Sequence, residues 1–143
     1  MRLSLLWVLL LVTPSCTSKD HDVECHLRPA FSLRLSAVQG SLPADTLLRV
    51  KYGGGVEEYR VSDSVQTQKV VFCQRRSTDG GPLEAGVSAD EIACELWTQG
   101  AATVTVESSP YPTLEEPLEA EADGRCIRTV EVDLVLGETD AGM

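Results

Sequence analysis

Histidine is almost missing from this chain: His21 and His26 are its two copies among 143 residues, and both lie ahead of the first strand-like segment. A nucleophile activated by a base needs an imidazole or equivalent held at about 3 Å from a Ser or Cys, and a polar N-terminal segment fixes neither partner. No Gly-x-Ser-x-Gly elbow and no Cys-x-x-Cys pair occurs. The first absence removes the strand-to-helix serine nucleophile, the second removes the compact zinc knot. Basic residues are also few, with 12 Lys and Arg against 22 Asp and Glu. Arg75 and Arg76 are the lone adjacent basic pair, so the clustered cations that bind a phosphate backbone are lacking and no nucleic acid is expected as partner. Aromatic residues make up 5% of the chain, which leaves Trp97, Tyr111, Tyr52 and Tyr59 as the stacking surfaces available to a sugar-like ligand. Trp97 itself reads first as core or edge packing.

Long apolar runs are lacking too, apart from one. Met1 and Arg2 are followed by Leu3 to Val12, apolar except for Ser4, and then by Thr13, Pro14, Ser15 and Cys16. A charged start, a short apolar stretch and small residues form the layout of a helical secretory signal peptide over residues 1–15. The stretch falls well short of the ~20 residues that cross a hydrocarbon core, and Thr17, Ser18, Lys19 and Asp20 follow at once. Removal of Arg2 with this leader takes the formal net charge from −10 to −11, an acidity that keeps a small exported domain soluble by self-repulsion.

Cys16, directly after Ser15, resembles the lipidated first residue of a mature bacterial lipoprotein, although Thr13 and Pro14 stand where that signal usually has other residues. The resemblance implies lipid on Cys16, a polar tether over 16–29, and anchorage of the protein to a membrane of the cell envelope. Acyl chains contribute about 0.8 kcal/mol per buried methylene, so a multiply acylated cysteine holds a protein on a membrane without a spanning helix.

With Cys16 assigned to lipid, Cys25, Cys73, Cys94 and Cys126 remain, an even number in an exported small domain, which predicts two disulfides. Three pairings are possible, and spacing does not choose among them. The tether segment with Asp20, His21, Asp22, Glu24 and His26 has the donors of a loose chelate but reads as a polar linker, so no metal and no cofactor is expected. Five acids fall between Glu115 and Asp123 without EF-hand spacing, and they read as a solvated stretch.

From residue 30 onward the period is two. Phe31, Leu33 and Leu35 alternate with Ser32, Arg34 and Ser36; Leu48, Val50 and Tyr52 alternate with Arg49 and Lys51. Gly53, Gly54 and Gly55 then turn the chain into Val56 to Val61, a predicted hairpin. The same triplet runs strand to strand, which does not suit a phosphate cradle. Val70 to Cys73 forms a short strand ahead of a loop over 74–89. Ile92 to Thr98 and Ala101 to Glu107 flank Gln99 and Gly100, predicting a second hairpin. Pro110, Pro112 and Pro117 demote 108–123 to an edge strand or loop. Cys126 to Leu136 reads as one continuous closing strand, and 138–143 as a tail. With no helical period after the leader, the expectation is an all-β, single antiparallel β-sandwich of about seven strands over 30–137, immunoglobulin-like or transthyretin-like.

The stretch from Gly100 through Val104 and Val106 to Pro110 and Tyr111 resembles the late strand and turn of carboxypeptidase regulatory-like domains. The strand from Cys126 to Leu136 is similar to their final strand, and Leu42, Pro43, Ala44, Leu48 and Val50 to their opening one. That family has a transthyretin-like sandwich and recurs in bacterial surface lipoproteins. The resemblance implies a non-catalytic accessory module, not an enzyme, with a protein partner at the envelope, and it assigns no site residue. A secreted soluble inhibitor or ligand-binding protein without the anchor is the alternative.

Overall fold

A computed structural model describes residues 25–62, 69–77 and 89–137. The leader, Cys16, most of the tether and the 138–143 tail lie outside them. Among the described residues there are ten strands and no helix. They are β1 (Phe31–Ala37), β2 (Leu47–Tyr52), β3 (Gly55–Arg60), β4 (Val71–Arg76), β5 (Glu91–Leu96), β6 (Ala102–Glu107), β7 (Leu114–Leu118), β8 (Glu121–Asp123), β9 (Cys126–Arg128) and β10 (Val130–Leu136). The described part of the chain is therefore all-β. One four-stranded sheet has the order β10-β1-β5-β4, a second the order β3-β2-β6-β7, and β8-β9 form a separate ribbon.

Alternation explains which face each strand buries. Phe31, Leu33 and Leu35 are fully buried, as are Leu48 and Val50 in β2, Ile92 and Leu96 in β5, and Val104 and Val106 in β6. These side chains from both four-stranded sheets join one hydrophobic cluster. Each such side chain contributes about 1.5–3 kcal/mol on burial, so a single core joining two sheets is the main stabilising element. A register slip by one residue would turn every one of these side chains to water, so the pattern specifies register as well as strand identity.

Four features depart from the sequence-based expectation. Ten strands replace about seven, because the proline-containing stretch supplies β7 and a small ribbon supplies β8 and β9. Pro117 sits in β7, which pairs on one side with β6 and is an edge strand, where the missing N–H breaks no ladder. Ile92 to Glu107 is not a hairpin: β5 pairs with β1 and β4, whereas β6 pairs with β2 and β7. The short connection carries the chain from one sheet to the other, with Gly100 at a φ of +102° that side-chain-bearing residues rarely adopt. The pairing is not wholly antiparallel either, since β1 and β10 run parallel, Phe31 opposite Val130 through Ala37 opposite Leu136.

The closing segment is also interrupted. β9 pairs with β8, and Thr129 separates it from β10, donating its hydroxyl hydrogen to the Pro29 carbonyl at 2.7 Å. Cys126, at the start of β9, is bonded to Cys25, which ties the segment ahead of β1 to the one ahead of β10. The other disulfide joins Cys73 and Cys94, which stand directly opposite each other in β4 and β5 with their Cα atoms 4.1 Å apart. Both of these cysteines are buried, so this bond belongs to the core.

Candidate functional site

The two-residue turn Gly53-Gly54 ends β2 at Tyr52 and begins β3 at Gly55, its register partner. Tyr52 continues the inward-facing row of Leu48 and Val50, but it lies at the end of the sheet and is only half-buried. A Cβ on Gly54 would come within 2.9 Å of Tyr52 Cε2, so the bare glycine is what lets the ring rest against the turn. Trp97 follows the last residue of β5 at the same end of the molecule. Its backbone N–H donates to the Val70 carbonyl at 2.8 Å, and its indole N–H to Glu95 Oε2 at 3.3 Å.

Between these two aromatic residues lies a cleft of about 370 Å³, within the range of small-ligand sites, lined by Tyr52, Gly53, Gly54, Val70, Trp97, Thr98 and Gln99. None of these side chains is charged. A second hollow of about 360 Å³ shares Tyr52 and Gly53 with it and continues over β6 and the end of β7, with Lys51, Thr103, Leu118 and Glu119 in its lining. The two hollows thus flank one ridge formed by Tyr52 and its glycine turn.

Glu57 fixes that ridge. Alternation in β3 places Glu57 on the same side as buried Tyr59, giving an inward-pointing carboxylate on an edge strand. The Tyr52 hydroxyl donates to Glu57 Oε2 at 2.8 Å, and the Lys69 backbone N–H donates to Oε1 at 2.7 Å. The Val70 N–H lies 3.2 Å from Oε2 and 3.4 Å from Oε1. One carboxylate therefore holds the cleft's tyrosine and the backbone entering β4, joining the edges of the two sheets. Burial pushes the Glu57 carboxyl up, but hydrogen bonds from Lys69, Tyr52, Val70 and Val71 outweigh it and hold the group below its ordinary value. The same contact raises Tyr52, through the hydrogen bond to Glu57 first, then desolvation and the negative charge.

The outer face of the β10-β1-β5-β4 sheet carries a smaller depression of about 190 Å³ with Arg34, Phe72, Gln74 and Arg76. Register places Arg76 opposite Glu91, Phe72 opposite Glu95, and Arg34 opposite Asp133, so both signs alternate there as on an ordinary solvated sheet. On the other sheet Arg49 pairs with Glu58 at 2.8 Å and Glu107 at 3.2 Å, an exposed cluster that stabilises little.

Of the residues singled out from sequence, Cys25, Cys126, Cys73 and Cys94 are placed in two disulfides, and Cys16 lies outside the described residues. His26 is exposed, and the other donors of the Asp20–His26 segment fall outside the described residues. The described residues hold no group of three His, Cys, Asp or Glu that could bind a metal ion. Glu115, Glu116, Glu119, Glu121 and Asp123 are exposed on β7, the ribbon and the link between them. Tyr59 is in the core, and Tyr111 packs near Gly137 just after β10, outside the cleft lining. Trp97, read from sequence as core or edge packing, is half-buried just after β5 and also walls the cleft. Glu57 was missed, although an acid at an inward position of an alternating strand is a visible signal. Comparisons with protein-family models, with curated proteins and with solved structures found no match.

Proposed function

We propose that this chain is a cell-envelope lipoprotein, held on a membrane by lipid on Cys16, whose all-β domain is a non-catalytic binding module. The observation that carries the reading is the leader closing on Cys16. Cysteine arithmetic supports it: five cysteines occur, four are joined as Cys25–Cys126 and Cys73–Cys94, and the fifth is Cys16. Two sheets with one core support the finer description of a β-sandwich, immunoglobulin-like or transthyretin-like, similar to a carboxypeptidase regulatory-like domain. The cleft favours binding over catalysis, because its lining offers aromatic and amide surface and no base beside the Thr98 hydroxyl.

Cys25 follows Cys16 by nine positions, so a lipid on Cys16 keeps the Cys25–Cys126 bond within roughly 30 Å of the membrane. The Ala30 N–H donates to the Leu96 carbonyl, which puts the tether's exit beside Trp97. Partners expected on this reading are the membrane, through lipid, and a protein at the envelope; no nucleic acid and no cofactor is involved. The test is the intact mass of the mature protein extracted from membranes, before and after reduction and alkylation. A chain starting at Cys16 with added acyl mass supports the anchor. A chain without lipid, recovered from the medium, instead selects a secreted inhibitor or ligand-binding protein.

A further inference from the structure

We infer that the paired hollows at the Tyr52–Trp97 end bind a neutral oligosaccharide laid across the Tyr52 ridge. The inference names the ligand class for the binding-module reading and rests on it. Charge argues first. With a net charge of −10 and no charged side chain in the first hollow, an anionic ligand has no counter-ion there and meets long-range repulsion, and in the second hollow Lys51 is offset by Glu119, so neither hollow presents a net positive charge. A cation would find two carboxylates nearby, but Glu57 and Glu95 are already accepting hydrogen bonds from Tyr52 and Trp97 and do not line the hollow.

Surface chemistry argues next. Aromatic faces are electron-rich and attract the polarised C–H edges of a saturated ring, the contact a pyranose offers from its apolar side. A purely apolar ligand would strip water from the Gln99 amide and the glycine backbone without replacing its hydrogen bonds. A sugar's hydroxyls replace them. Buried Thr98 keeps an acceptor lone pair, because its hydroxyl hydrogen is directed to the Gly100 carbonyl at 3.4 Å.

Shape decides the length of the ligand. The hollows of about 370 Å³ and 360 Å³ have Tyr52 and Gly53 in common, so they adjoin at this turn and one extended ligand laid across it occupies both. A chain of several sugar units fits this path, whereas a single ring fills one side. Rigidity matters as well: the Glu57 bonds pre-set the Tyr52 ring, reducing the ordering cost on binding.

The chain reports on this site itself. Its two tryptophans are Trp7, in the leader, and Trp97, so emission from the mature protein comes from Trp97 alone. The experiment titrates the mature chain, in a detergent without a sugar head group, with cellohexaose, chitohexaose and maltohexaose and with the matching disaccharides. A saturable change in Trp97 emission with at least one hexasaccharide is expected, its affinity about tenfold above that of the disaccharide. By calorimetry, Trp97→Ala and Gln99→Ala lower that affinity, and Ala101→Arg, placed in the second hollow, lowers hexasaccharide affinity while leaving the disaccharide unchanged. Gln99 and Ala101 are exposed, so these two variants test the site without disturbing the core. Silence with all three neutral hexasaccharides overturns the inference, as does binding that Trp97→Ala leaves intact. A lipidated but silent protein would leave the anchor standing and sink the ligand; an unlipidated protein that responds would do the reverse.

Discussion

The two ends of the sheet pair are built by opposite means. At one end the loops close over the core. Leu42, Thr46, Val61 and Ala89 have no exposed surface, and the Thr46 and Ser108 hydroxyls share a buried hydrogen bond of 2.7 Å across 62 positions of sequence. Leu42 and Ala89 form an isolated bridge beside the 2.8 Å bond from Ser41 to Asp90. At the other end Tyr52 and Trp97 stand apart over a cleft, and the closure is covalent and polar: the Cys25–Cys126 disulfide, and the Glu57 carboxylate that gathers the Tyr52 hydroxyl and the backbone entering β4. Packing seals one end, while a disulfide and a polar clamp tie together the segments of the other. On the binding reading proposed above, a cleft kept for a ligand cannot draw its stability from being filled by its own side chains.

The largest expected effect tests the covalent part of this contrast. A bond closing 101 positions restricts the unfolded chain strongly, and the Cys25→Ser/Cys126→Ser double variant should lose about 4 kcal/mol in a urea titration. Because that loss comes from unfolded-chain entropy, Trp97 emission in the native baseline should stay as in the parent. A native-state red shift would mean that the disulfide shapes the cleft itself.

Next comes the packed end. Leu42→Ala removes a fully buried side chain, with an expected loss of about 3 kcal/mol and no change in Trp97 emission. A loss below about 1 kcal/mol, typical of a site that collapses or was never packed, would erase the distinction between the ends. Thr46→Val is smaller. It keeps the shape but leaves the Ser108 hydroxyl buried without its partner, for about 1–2 kcal/mol. The Thr46→Val/Ser108→Ala double variant should recover part of that loss, since neither polar group is then stranded. If the double variant is as unstable as the sum of the singles, the hydrogen bond is not what couples the two loops.

These contrasts were unevenly legible in the sequence. Period-two alternation located β1, β2 and β6 to within a residue or two, because each has one face on the core and one in water, and the glycine turn located β3. Alternation states that a strand has a buried face without naming its neighbour. A glycine-containing link of a few residues serves a hairpin and a crossover equally, so Gln99-Gly100 suggested the wrong pairing for β5 and β6. Parallel pairing of β1 with β10 involves the two most distant strands and leaves no local trace. The break at Thr129 was hidden for a similar reason, since its hydrogen bond goes to Pro29, 100 positions away. The cleft suffered most. Tyr52 and Trp97 were visible as aromatic residues, but their juxtaposition follows from the crossover, and Glu57 acquires its role from Lys69 and Val70, which a neighbouring edge brings to it.

The smallest effect is the most specific to the open end. Glu57 has a folded-state pKa below its ordinary value, so its contribution to stability is present above the unfolded-state pKa of about 4.3 and is lost as pH falls through the lower folded value. Glu57→Gln keeps the outline and one acceptor oxygen but removes the charge that strengthens the bonds from Tyr52, Lys69 and Val70. At about pH 7 the variant should be less stable by about 1 kcal/mol, a modest figure because the group is only partly buried. Urea titrations of both proteins at stepwise lower pH should show the gap narrowing toward zero, with the parent losing stability faster than the variant below about pH 4. Other acids titrate in the same range in both proteins and cancel in the difference. Loss of the carboxylate also loosens Tyr52, so hexasaccharide affinity should fall in the variant at neutral pH, and the parent should approach the variant's affinity on acidification. A gap that stays constant with pH would show that the contribution is one of shape, and would leave the open end without its polar clamp.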